Sequence, residues 1–372
     1  MKYTKILIAF LSLSAAVISC KQSQEKVTRD LWGNTDGKEV YLFTLTNDKG
    51  NVIKLTNFGA KINWIEIPDR NGKKENITFG YDTFDETLNG DMSFGSVVGR
   101  FANRIAHGKF SLDGVEYTTP LNNGPNTLHG GPKGWHSVVW DAEILKESKE
   151  PAVKFSYLSP DMEMGFPGNV NVSVVYTWTN NNEIKMDYTY NTDKKTIVNV
   201  TNHAYFNLHG MGNGTILDHE LTIKASAFTP VDSVMIPTGE IRPVAGTPFD
   251  FLTPHTIGER IDENYDQLIL GKGYDHNFIL DNKEEPDVTL YDPQSGRMLE
   301  VITDQPGMQF YCGNFLDGTK KGHGGKPLNH RSGLCLEADH FPDSPNQPSF
   351  PTVIINPGET GKTQTIYRFS VK

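Results

Sequence analysis

The feature that most constrains this chain is a succession of short segments in which apolar and polar residues alternate, each cut off by turn-forming residues. In residues 169–178, Val170, Val172, Val174, Tyr176 and Trp178 fall on one face, with Asn169, Asn171, Ser173 and Thr177 on the other. A period of two sends successive side chains to opposite sides of a pleated strand, so this is a strand with one core face. Ile184, Met186, Tyr188 and Tyr190 repeat the pattern after the turn Asn180-Asn181-Asn182, which predicts a hairpin. Residues 40–46 and 52–57 predict another around Asp48-Lys49-Gly50-Asn51, and 60–67, 220–225, 299–303, 308–312, 334–338, 352–355 and 365–371 read as further strands. Only residues 255–263, after Thr253-Pro254, suggest a helix. Without alternating helices a parallel α/β sheet has no crossovers. The expected fold is therefore all-β, a large antiparallel β-sandwich with few short helices. The 35 glycines and 21 prolines fit many turns. No internal repeat or low-complexity linker divides the 372 residues, so residues 31–372 are expected to form one large domain.

The amino terminus reads as an export signal. Lys2 and Lys5 precede an apolar run over residues 6–18, which as a helix reaches only about 20 Å against a hydrocarbon layer of about 30 Å. Val17-Ile18-Ser19-Cys20 resembles the bacterial lipobox, in which the Cys is acylated and becomes the first mature residue. That resemblance implies a signal peptide over residues 1–20, lipidation at Cys20, a polar tether over 21–30, and an exported protein held on a bacterial membrane by its lipid alone. An ordinary signal peptide with a chance Cys is the alternative. Cys312 and Cys335 are then left in a compartment that permits a disulfide, but a core this large needs no staple, and two buried free thiols are expected. A net charge of -10 offers no clustered basic footprint for nucleic acid.

The stretch IVNVTNHAYFNLHG, residues 197–210, combines a strand pattern with unusual polarity: Val198, Val200 and Ala204 point one way, while Asn199, Thr201, His203 and Tyr205 point the other. An imidazole among hydrogen-bonding groups suits a strand lining a polar cleft. Other polar loops accompany it. GSVVGRFANRI carries Arg100, Asn103 and Arg104; LHGG places His129 beside two small residues; GYDHNF carries Asp275; residues 307–315 present Gln309. Within GLCLEADH, Glu337 shares a strand with Leu334, Leu336 and Ala338, which face the other way, and a carboxylate there needs a partner or a task. An ion pair with Arg104 would satisfy it structurally, as an internal hydrogen bond would satisfy His203. No Walker, HExxH or Gly-x-Ser-x-Gly motif occurs, and the 11 histidines lack compact metal spacing. Asp275 and Glu337 could form a glycosidase pair. A Glu with a His instead suits a reaction needing base and acid at once, because ordinary values of about 4.3 and 6.5 leave a window in which both are charged.

Taken in order, GRFANRI, TLHGG, TNHAYFNL, GYDHNF, QFY and CLEADHFPDSPNQPSFP resemble the galactose mutarotase (aldose 1-epimerase) family over nearly the whole chain after the tether. The resemblance implies a single large β-sandwich with a sugar cleft, and interconversion of α and β anomers of free aldoses without a cofactor; the histidine spacing leaves no catalytic metal expected. It implies that His203 protonates the ring oxygen and Glu337 takes the anomeric proton, while Asn103, Arg104, His129, Asp275 and Gln309 hold sugar hydroxyls. The expected partner is a free monosaccharide, and the expected state a monomer or weak dimer. A non-catalytic sugar-binding lipoprotein, a glycosidase and a phosphosugar epimerase are the rivals. The last would call for a cationic cluster where only Arg104 is evident.

Overall fold

Alternation decides which faces meet. The computed structural model describes residues 26–281 and 284–372; the signal segment, Cys20 and residues 21–25 lie outside them. Val27–Thr35, Lys38–Thr46, Val52–Thr56, Lys61–Pro68 and Lys74–Asn76 form a five-stranded antiparallel meander. The hairpin expected over residues 40–57 is part of it. Val27 to Asp30, counted above with the tether, already pair with Leu45 to Leu42.

A nine-stranded sheet is centred on Val170–Trp178, Glu183–Thr192, Thr360–Val371 and Arg297–Thr303, all antiparallel. A six-stranded sheet runs Tyr205–Phe206, Leu334–Asp339, Gly307–Tyr311, Asp275–Leu280, Ala225–Phe228 and Arg242–Pro243. The apolar faces of these two sheets share one core. Val170, Val172, Val174, Tyr176 and Trp178 belong to it together with Phe206, Phe278, Met308, Phe310, Leu334 and Leu336. Phe206 packs edge-on to Tyr367 at 5.2 Å, and the Tyr367 hydroxyl donates to the Leu336 carbonyl at 3.3 Å. With the even-numbered residues of Leu334–Asp339 in the core, Cys335, Glu337 and Asp339 face the opposite side.

Two expectations need correction. Residues 197–210 are not one strand: Thr196–Ile197 pairs with Ile354–Ile355, Thr201–Asn202 with Val97–Val98, and Tyr205–Phe206 with Cys335 and Leu334. The alternation survives, since Val198, Val200 and Ala204 are core residues, but the chain changes partner twice. Asn199 serves as a buried tie, donating to the Ala102 and His340 carbonyls. The second correction concerns the helix expected over 255–263. His255–Thr256 adds an edge strand to the nine-stranded sheet, and only a 3-10 turn, Ile257–Glu259, follows. Ladder bonds to Glu220 and Leu221 replace the helical ones. The short α-helices are Phe84–Asn89, closed by a Thr83/Glu86 capping box, and Asp266–Gly271.

Candidate active site

The polar face of the six-stranded sheet forms the floor of a cleft of about 450 Å³, within the usual range for a small-molecule site. Pairing places Asn277 opposite Gln309 and Gln309 opposite Glu337, so three polar residues lie in one row across the sheet. His203 stands at the end of that row, its Nε2 3.6 Å from Glu337 Oε1. The segment holding it is locked from both sides, since the His203 amide donates to the Ser96 carbonyl and the Gly95 amide donates to that of His203, each at 2.9 Å.

The wall comes from the loop that ends at Arg104–Ile105, a two-residue strand paired with Thr127–Leu128. Asn103 is turned into the left-handed region (φ 60°), and its amide donates to His129 Nδ1 at 3.2 Å. The neutral His129 ring therefore keeps its proton on Nε2, as a donor. Its ring stands edge-on to His203 at 4.9 Å. Close approach here depends on Gly130 (φ 78°), where a Cβ would sit 2.2 Å from the Gly99 carbonyl oxygen. Arg104 Nη2 lies 3.7 Å from Asp275 Oδ2, with both side chains 9% exposed, and its Nε donates to Asn123 Oδ1 at 3.1 Å.

His203, Glu337, Asn103, Arg104, His129 and Asp275 thus converge on one cavity. Gln309 does not line it. Its amide donates to Asp275 Oδ1 at 2.7 Å from behind and so fixes that carboxylate. Arg100 points away, buried against Ser159 and the carbonyls of residues 166–168. The ion pair considered between Glu337 and Arg104 is not formed; Arg104 takes Asp275, and the Glu337 partner is His203. Tyr311 and Phe315, stacked at 6.1 Å, supply an aromatic wall that the sequence reading passed over. Position two from Gln309 on the same strand was the available signal for Tyr311.

Burial pushes the Glu337 carboxyl above its ordinary value and Asp275 adds to the shift, while His203 and Arg104 act against it. Burial, then the neighbouring His203, hold His129 well below the usual imidazole value, which keeps it neutral. His129, His203 and Glu337 have metal-ligand spacing, as do His209, His219 and Asp292. In each trio, however, a backbone amide occupies a ring nitrogen: Asn103 takes His129 Nδ1, and Leu208 takes His219 Nε2. Cys312 and Cys335 are free and buried, and Cys335 Sγ lies 3.6 Å from His203 Nδ1.

Fold and cleft together define a class: a β-sandwich carrying an acid and a base at the bottom of a polar cavity sized for a small molecule. The sequence profile described as aldose 1-epimerase matches residues 41–368, and the chain belongs to that family. It is 44% identical over 349 residues to galactose mutarotase of Bos taurus, covering 93% of this chain and 99% of the relative. It is 36% identical over 339 residues to aldose 1-epimerase of Escherichia coli K12, covering 90% and 96%. Among solved structures, galactose 1-epimerase from Lactobacillus acidophilus superposes with a TM-score of 0.83 at 28% identity, over 93% of this chain and 99% of that one. An aldose epimerase homologue from C. elegans gives 0.81 at 32%, over 89% and 98%.

Proposed function

We propose that this chain is an isomerase, an aldose 1-epimerase interconverting the α and β anomers of free aldoses such as galactose and glucose, with His203 as acid and Glu337 as base. Family membership supports the activity; the observation that carries the residue roles is the buried His203–Glu337 opposition at 3.6 Å. Glu337 removes the proton of the anomeric hydroxyl while His203 delivers one to the ring oxygen. The ring bond from C1 opens, leaving an aldehyde. Rotation about C1–C2 presents the other carbonyl face, and the reverse transfers close the opposite anomer. Asn103, Arg104, the His129 Nε2–H and Asp275 hold the remaining hydroxyls through the open-chain stage, with Gln309 steadying Asp275. That Arg104 and Gln309 already engage Asp275 supports giving the base role to Glu337.

Each proton-transfer group contributes roughly 10²–10⁴ in rate. Glu337→Gln is accordingly expected to lower kcat for mutarotation of freshly dissolved α-galactose by about 10³ while sugar binding persists. Near-normal polarimetric rates in that variant would refute the assignment. The reading extends to the amino terminus: residues 1–20 as a lipoprotein signal, acylation at Cys20, export, and one sandwich domain, beginning at Val27 rather than residue 31, working as a monomer or weak dimer. Labelling with a radioactive fatty acid, lost on Cys20→Ala, is the check on anchoring.

A further inference from the structure

We propose that Asp339 is a positioning residue for this reaction: held as a neutral carboxylic acid buried beside the cleft, on the same sheet face as Glu337, it donates the hydrogen bond that keeps Glu337 an ionised base. The inference rests on Glu337 acting as the base. Residues two apart on a strand share a face, about 6.5–7 Å apart along the chain. Glu337 and Asp339 therefore share the polar face of Leu334–Asp339, and the charge of Glu337 acts on Asp339 across it. Asp339 is 0% exposed, yet neither of its carboxyl oxygens has a hydrogen-bond partner, and Glu337 Oε2 also has none.

An ionised carboxylate so placed would have, among the described residues, only the Asn199 side-chain amide to set against burial and the Glu337 charge, whereas the neutral acid needs only an acceptor for its one O–H. Acceptors without partners on the same face are Glu337 Oε2, Asn277 Oδ1 and Gln309 Oε1. Gly307, paired with Asp339, keeps this space open, because a Cβ there would lie 2.3 Å from Asn277 Oδ1. Charges divide unequally between the two carboxyls. Glu337 feels Arg104 and His203 as well as Asp275, with Cys335 and Tyr205 on its own face and Tyr367 behind the sheet. Among the described residues, Asp339 faces Asn199 and the charge of Glu337. A single proton shared by the pair therefore settles on Asp339. Burial first, and then Glu337, move the Asp339 value well above the carboxylate range, in agreement. The O–H donated towards Glu337 Oε2 is a charge-assisted bond, which offsets the effect of burial on the base.

Asp339→Asn and Asp339→Leu in the full-length protein test this. The amide can still donate and the isobutyl group cannot. At pH 7, infrared difference spectra of wild type against Asp339→Asn should show loss of one protonated-carboxyl C=O band. The acid limb of kcat/KM should stay in place in Asp339→Asn and move up by about one pH unit in Asp339→Leu, a roughly tenfold loss at a pH on that limb. A merely structural role would leave the limb unmoved in both. No lost band, a limb displaced downward in Asp339→Asn, or an unmoved limb in folded Asp339→Leu would each overturn the proposal. Should the Leu variant not fold, the band and the Asn profile decide. The band reports the Asp339 proton independently of whether Glu337→Gln abolishes turnover, so failure of the base assignment is seen separately.

Discussion

Removing Asp275 tests whether the substrate wall is one electrostatic unit. The carboxylate is shared by the Arg104 guanidinium at 3.7 Å and the Gln309 amide at 2.7 Å, both ends nearly buried. At 3.7 Å and an effective dielectric of about 20, the Coulomb attraction is about 4.5 kcal/mol before desolvation is subtracted. Breaking such a pair from one side strands the other charge and costs about 3–5 kcal/mol. Asp275→Ala should therefore destabilise by about 3 kcal/mol, and Arg104→Leu by a similar amount. The double variant should cost about 2 kcal/mol less than the sum, because neither leaves a charge for the other to strand. Urea unfolding of the four proteins measures this directly. Polarimetry on the same set should show a kcat/KM loss of about 10²-fold in Asp275→Ala, as the sugar loses its positioning contact. The Asp275 charge raises the Glu337 value, so its removal should also move the acid limb of activity downward. A coupling energy under about 0.5 kcal/mol would refute the argument that the pair acts as a unit.

Gly130→Ala should destabilise by about 2 kcal/mol or more, because the positive φ and the 2.2 Å approach to the Gly99 carbonyl strain the turn that carries His129. A thermal melt checks the first effect, and a raised KM the displacement of His129. In the unaltered protein the base works only when ionised, so activity should fall as pH drops through the raised Glu337 value, at a higher pH than an exposed Glu would give. A limb at or below the ordinary value of about 4.3 would contradict the burial argument.

Much of this was legible in the chain because alternation is a property of the strand itself. Val170 through Trp178 declare their core face wherever the strand is placed, and the hairpin to Ile184 follows from its turn. Residues 197–210 show the limit. Their alternation gave the right faces, but partner changes at Thr201 and Tyr205 depend on Val97–Val98 and Cys335, which local pattern does not encode. The segment 255–263 failed for the same reason: an edge ladder with Glu220 and Leu221 outcompeted a weak helical preference. Gln309 and Arg100 were identified as polar residues near the site. Only the assembled sheet shows that one braces Asp275 and the other ties the loop of residues 159–168.

The acid and the base meet because of strand register. Tyr205 pairs with Cys335 in an antiparallel ladder, so each step back along one segment is a step forward along the other. Two steps bring His203 beside Glu337, and the same count puts Phe206 and Leu336 on the face that packs into the core. A one-residue slip would turn every side chain to the opposite face, burying Glu337 among aliphatics and exposing Leu336 to the cleft. Hydrophobic packing behind the sheet therefore enforces the geometry in front of it. The His203 backbone, held by Gly95 and Ser96, completes the lock after the ladder itself has ended.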